Sequence, residues 1–321
     1  MNGNLGGSKA NYREGDSIPY RMTFDNLSLA SHTVTIEWDT TKSDKHAIDY
    51  LTSFNQSALN ANPCLGVTGC NFATGTTFPI PVDPQVAGGG VTPIPGNFTL
   101  YGGSITAVSA YTYPDGTGFT GDKTASITLT FTASVVNPVL AWGGHIASRA
   151  DWGLTNSAVS IPGSPYHTRL IDLDGAGGNQ DRSLSEDAVT FPGFIHIVKT
   201  TTGGNATFGY TASPAPLANF DITTVGGTGH HDFDNITNFT TYTVAENAPP
   251  SHWAFDSLVC GVASANGGSR TVTNRSVAIN LKEGEEVTCT YANHHTVNSP
   301  TIATVLSDSS ITVGDTIHDT S

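Results

Sequence analysis

The chain has 321 residues, room for two or three domains of roughly 100–200 residues each. Its net charge is −14, with 13 basic residues against 27 acidic, which argues against binding a phosphate backbone through a basic surface. No apolar run reaches the roughly 18 residues that a membrane-spanning helix needs, and the recurring strand-like runs exclude a wholly disordered chain.

Taken in order, the opening Met1–Gly7 shows no charged region followed by an apolar stretch, so no secretory signal is visible there. Strands are expected at Ile18–Phe24, His32–Asp39, Thr99–Leu100, Ser104–Tyr113, Ala125–Ala133 and Val139–Ile146. The clearest is the second, where Val34, Ile36 and Trp38 lie on one face and Thr33, Thr35 and Glu37 on the other. Ala125–Thr132 alternates in the same way, which predicts an antiparallel sandwich with one wet face per sheet. Asp44–Leu51 reads as a short helical turn. Asn60–Pro95 and Gly153–Ser185 read as long Gly/Pro-rich loops, the kind of segment that carries contacts. Residues 1–192 are thus expected to form an N-terminal β-sandwich domain, ending at Pro192-Gly193.

Residues 193–295 read as a second β-domain. In Phe194–Lys199, Ile195, Ile197 and Lys199 share a face; in Thr241–Glu246, Tyr242, Val244 and Glu246 do; in Glu286–Asn293, Val287, Cys289, Tyr291 and Asn293 do. One Lys, one Glu and one Asn therefore extend three apolar rows, where a polar group is costly unless it finds a partner. Residues 296–321 carry strand-like Thr301–Leu306 and Ser310–Asp315. They read as a linker and the start of a further β-domain, or as a donated strand, and truncation is expected at Ser321. The fold class expected is all-β: two antiparallel β-sandwich domains, immunoglobulin-like or prealbumin-like, in tandem with a C-terminal strand segment.

Four cysteines allow three pairings. The local pairs Cys64–Cys70 and Cys260–Cys289 are favoured, and neither has the CxxC spacing of a zinc site. Two disulfides imply an oxidising, extracellular compartment. Asp172, Asp174, Asn179 and Asp181, with Asp187 nearby, lie on a Gly-rich stretch that could supply oxygen ligands to Ca²⁺; the plainer alternative is a solvated turn capped by carboxylates. No other cofactor is expected. His230 and His231 alternate faces on a strand and so do not share a zinc ion. His145 and Asp151 read as structural, since no nucleophile elbow or HExxH motif accompanies them. Trp142, Trp152, Tyr111, Tyr113 and Tyr166 are candidates for sugar stacking or, more simply, for core packing.

Ile197-Val198-Lys199, the segment Tyr242-Thr243-Val244-Ala245-Glu246-Asn247-Ala248-Pro249-Pro250 leading to Trp253, and Val287–Asn293 together resemble prealbumin-like domains of the SpaA/Cna B-type found in bacterial surface adhesins and pilins. The resemblance covers about a third of the chain. It implies an intramolecular isopeptide bond between a first-strand Lys, here Lys199, and a last-strand Asn, here Asn293, assisted by an acid, here Glu246. The cysteine pair departs from many members. The first 192 residues look like regions that precede such modules in large secreted bacterial proteins. The implied function is an extracellular structural or adhesive module of a surface protein or fibre: a cross-linked spacer at the cell surface, without turnover chemistry. Its partners would be other copies of itself or neighbouring surface-protein domains, with no nucleic acid and no membrane insertion. The alternative is a carbohydrate- or ligand-binding module in the first domain, with or without Ca²⁺, for a glycan or a host or cell-surface ligand.

Overall fold

The computed structural model describes residues 4–153, 156, 157, 161, 163, 165–296, 305–306, 312–314 and 319–320. Its N-terminal part runs β1 (Tyr12–Arg13), β2 (Ser17–Thr23), β3 (Ser31–Lys42), β4 (Lys45–His46), β5 (Ile48–Thr52), β6 (Thr76–Pro79), α1 (Pro84–Gly88), β7 (Asn97–Tyr101), β8 (Gly103–Val108), β9 (Lys123–Ala133), β10 (Val139–Ile146), α2 (Arg149–Trp152), β11 (Tyr166–Leu173), β12 (Ala176–Leu184) and β13 (Val189–Thr190). One sheet is ordered β2-β10-β7-β6, with β5 also paired to β10; the other is β12-β11-β3-β9-β8, with β4 on β3. The expected alternation sets the packing. Val34, Ile36 and Trp38 of β3 and Ile127, Leu129 and Phe131 of β9 turn inward to meet Ile18, Tyr20, Leu140 and Trp142.

Three expected features are corrected here. Asp44–Leu51 is not a helical turn. Ser43 and Asp44 both take positive φ, held by Asp122 and by the Gly121 amide, and turn the chain into β4 and β5. Ile48–Thr52 is buried throughout, so it lacks the alternation that marks a half-wet strand. Gly153–Ser185 is not one long loop: it contains the β11–β12 hairpin, turned at Asp174-Gly175 and paired with β3 through Thr168 opposite Trp38. The strand expected over Ser104–Tyr113 ends at Val108.

The second part runs β14 (Gly193–Thr202), β15 (Thr207–Ser213), β16 (Phe220–Thr223), β17 (Thr228–Ile236), β18 (Thr241–Glu246), β19 (Trp253–Ala263), β20 (Ser269–Thr273), β21 (Ser276–Asn280) and β22 (Glu286–His295). Its sheets are β17-β14-β22-β19 and β16-β15-β18-β21-β20, packed over a core distinct from the first. The pairing is antiparallel except between β14 and β22, the first and last strands of this part, which lie side by side in parallel. β23 (Val305–Leu306) and β24 (Asp319–Thr320) pair with each other. The other residues of the expected tail strands lie outside the described residues, apart from Thr312–Gly314. Among the described residues, no helix is long and apolar enough to cross a membrane.

Candidate functional site

Each of the three polar residues that end an apolar row points into the second core. Lys199 continues the inward row of Ile195 and Ile197 on β14 and is fully buried; Glu246 on β18 and Asn293 on β22 are 4% and 1% exposed. The strand register brings them together. Lys199 lies opposite Tyr291, two residues before Asn293 on the adjacent parallel strand, so the two side chains share one face. Glu246 comes from the facing sheet, opposite Tyr210.

The Glu246 carboxylate joins the other two. Lys199 Nζ donates to Oε2 at 2.9 Å and Asn293 Nδ2 donates to Oε1 at 2.7 Å. Phe208 lies beneath the amine, 4.1 Å from ring centroid to Nζ, and Tyr210 and Tyr291 meet edge-on at 5.1 Å beside it. The Tyr291 hydroxyl donates to the Val244 carbonyl. Asn293 Oδ1 is buried without a partner. Burial pushes the Lys199 ammonium below the usual lysine range, against the opposing pull of Glu246. A buried amine shifted toward its neutral form, a carboxamide and a bridging carboxyl group are the ingredients of amide exchange: a nucleophile, an acyl centre and a proton shuttle.

Residues 195–295 match the family described as a prealbumin-like fold domain. This part of the chain is a prealbumin-like domain. No curated protein matches the chain. Among solved structures, the chain is similar to the major pilin of Streptococcus pyogenes, at 10% identity over 88% of this chain and 100% of that one, with a TM-score of 0.25. It is also similar to an adhesin of Mobiluncus mulieris described as containing intramolecular disulfide, isopeptide and ester bond cross-links, at 10% identity over 87% and 89% of the two chains, with a TM-score of 0.26. Within the prealbumin-like domain, Cys260 on β19 and Cys289 on β22 face each other in register and are bonded; Cys64 and Cys70 are bonded in the N-terminal part.

The remaining candidates fall elsewhere. Asp172 accepts from the Gly175 amide, Asp174 from His32 and the Thr33 amide, and Asp181 faces His167 at 2.9 Å, so the three carboxylates serve separate contacts along the hairpin. The side chain of Asn179 lies outside the described residues. His231 stacks on Phe220 at 4.1 Å, while exposed His230 stands 3.9 Å from Asp232. Trp142 and Tyr166 are buried, and the Tyr111 and Tyr113 hydroxyls tie to the Pro81 carbonyl and Asp83.

Sequence reasoning missed Asp49. It sits fully buried in β5 and accepts from His145 Nδ1 at 2.7 Å, from Trp152 Nε1 at 2.8 Å and from the Tyr50 amide. Ligand atoms of Asp49, His145 and Asp151 lie within 4.8 Å of one another, but protein donors already occupy the carboxylates, with Ser148 Oγ on Asp151. Burial opposes the His145 charge, yet Asp49 and Asp151 outweigh it and raise its pKa. Glu285 was also missed: it is buried and accepts from the amides of Asn266, Gly268 and Lys282, and these bonds overcome the effect of burial and hold its carboxyl below the usual range. An acid inside an apolar run, Ile48-Asp49-Tyr50-Leu51, is the sequence signal for the first; Glu285, set among Glu283, Gly284 and Glu286, carries no such signal.

Proposed function

We propose that the chain is a structural and adhesive module of an extracellular bacterial surface protein or fibre, built of two β-units in tandem, whose prealbumin-like domain is a spacer closed by a Lys199–Asn293 isopeptide bond. The observation that carries this reading is the single buried carboxylate of Glu246 hydrogen-bonded to both the amine and the carboxamide. In the reaction, Lys199 Nζ attacks Asn293 Cγ. First a proton passes from Lys199 Nζ to Glu246, leaving a neutral amine and a carboxylic acid; a turn of the amide then places Oδ1, now unpartnered, where the Glu246 acid donates to it and stabilises the developing oxyanion. Glu246 carries a proton from the attacking nitrogen to Nδ2, the Cγ–Nδ2 bond breaks, and ammonia leaves. The new bond links first and last strands that already lie side by side, so a load entering at one strand leaves by the other without shearing the sheet. No substrate turns over. Partners in this reading are neighbouring domains or copies of the same surface protein.

Intact mass of the folded, reduced protein tests the bond. The expected mass is one ammonia below that of the sequence, and Lys199→Ala and Glu246→Gln both restore the full value. A wild-type chain at full mass removes the cross-link from the proposal.

A further inference from the structure

β2 pairs with β10 on one side and, among the described residues, with no strand on the other. Pro19 near its start lacks a backbone donor, in keeping with an edge position. Beyond Pro19, the stretch Tyr20–Asp25 forms one wall of a cleft of about 730 Å³. The opposite wall comes from β11 and β12 of the other sheet, and a third from Gly66–Thr68. That third wall is pre-set. It lies inside the loop closed by Cys64–Cys70, and Arg21 Nη1 holds the loop carbonyls of Pro63 and Leu65 at 2.6 and 2.7 Å.

The cleft inverts the charge of the chain. Arg21, Arg169 and Arg182 line it, against one acid, Asp25, in a protein with 13 basic and 27 acidic residues. Arg169 is neutralised by Asp39 and Glu37. Arg21 and Arg182 donate only to backbone carbonyls and have no carboxylate partner among the described residues. Between these cations the lining is mixed: Met22 on the edge strand and Leu170 across from it are apolar, with Thr23, Thr168 and Gln180 beside them. A sugar ring would need an aromatic face to stack on, but Tyr20 and Trp142 are each only 3% exposed. What the cleft offers instead is a free strand edge flanked by unpaired guanidinium groups.

We propose that this cleft takes an acidic, extended peptide segment of a partner protein, added as a strand to the free edge of β2. Main-chain bonds to Tyr20–Thr23 supply affinity, alternate side chains cover Met22 and Leu170, and carboxylates between them pair with Arg21 and Arg182. The inference rests on the N-terminal sandwich and stands whether or not the Lys199–Asn293 bond forms.

The test uses the full chain as bait for a displayed library of short random peptides. Enriched peptides are expected to alternate Asp or Glu with apolar residues. Arg182→Glu, at a half-exposed position, should weaken them about tenfold or more. Methylating alternate backbone nitrogens of an enriched peptide should abolish binding, and hydrogen exchange at Tyr20–Thr23 should slow when the unmodified peptide binds. The proposal is overturned by a library that yields no acidic consensus, by equal binding to the Arg182→Glu chain, or by indifference to backbone methylation. It is overturned too if a polyuronate chain occupies the cleft and acidic peptides do not, which would make it a glycan site.

Discussion

At the scale of single residues, the second core shows how a polar side chain earns a place among apolar ones. Lys199, Glu246 and Asn293 occupy positions that alternation assigns to the interior, and the Glu246 carboxylate gives both the amine and the carboxamide nitrogen a partner, leaving Asn293 Oδ1 alone without one. The N-terminal part solves the same problem differently at His46. Its ring lies 3.6 Å from Trp152, nearly parallel to it, with Phe119 at 4.6 Å, and burial pushes its pKa down to about 4. The unfolded chain takes up that proton at its ordinary pKa near 6.5 while the folded chain does not, so stability falls as pH drops from about 6.5 to about 4, by up to roughly 3 kcal/mol. His32 and His145 work in the opposite sense. Asp174 raises the first, and Asp49 outweighs burial to raise the second; what they contribute is complete below the unfolded pKa and is lost as pH rises through their folded values. His46→Phe keeps the aromatic stack and removes the titration. Urea denaturation at neutral and at mildly acidic pH should therefore show a smaller acid loss in His46→Phe than in wild type; an equal loss would assign the acid sensitivity to other groups.

At the scale of elements, legibility followed burial on one face or two. Strands with one wet face, such as β3 and β9, announced themselves by alternation, and the three strands that bear Lys199, Glu246 and Asn293 were placed nearly to the residue. β5 did not, because all five of its residues are inside and such a run has no period to read. β12 did not either: its Gly-, Asn- and Asp-containing sequence has weak strand propensity, and it is a strand because β11, itself paired to β3, offers an edge to pair with. Within the prealbumin-like domain, Cys260–Cys289 fastens β19 to β22, while the proposed bond fastens β22 to β14, so the two would tie three neighbouring strands in series. Replacing both cysteines with alanine should cost roughly 3–4 kcal/mol by the loop-entropy relation. Trp253, packed edge-on to Phe208 in this core, reports the loss in a fluorescence-monitored denaturation. Mass measurement of the same variant should still show one ammonia missing, since Lys199, Glu246 and Asn293 do not touch the sulfurs.

At the scale of the whole molecule, the two cores meet through one buried arginine. Arg149 of α2 pairs with Glu14 at 2.8 Å and sends Nη1 to the Gly284 carbonyl and Nη2 to the Pro192 carbonyl, with its guanidinium 4.8 Å from the centroid of the Phe194 ring. At the same junction the Phe191 amide donates to Glu283 Oε1 and the Gly284 amide donates to the Phe191 carbonyl. Arg149→Ala leaves the buried Glu14 carboxylate with the residue-149 amide but without its counter-charge, and removes every side-chain bond that Arg149 makes across the junction. Small-angle scattering should then show a broader range of extensions, and calorimetry should separate the unfolding of the two cores; an unchanged profile would place the joint's stiffness in the backbone contacts alone.

By itself, the sequence determined that the chain is all-β, which residues face inward on its regular strands, and which Lys, Glu and Asn interrupt apolar rows. These are local or periodic properties, set by side-chain spacing along one strand. Only the tertiary structure decided that the first and last strands of the second unit are parallel neighbours, that Glu246 reaches its two partners from the opposite sheet, that Asp49 lies beside His145, and that β2, among the described residues, pairs with a strand on one side only. Each of these joins residues far apart in sequence, and strand register and sheet order are settled by how two whole sheets pack rather than by any stretch of chain read alone.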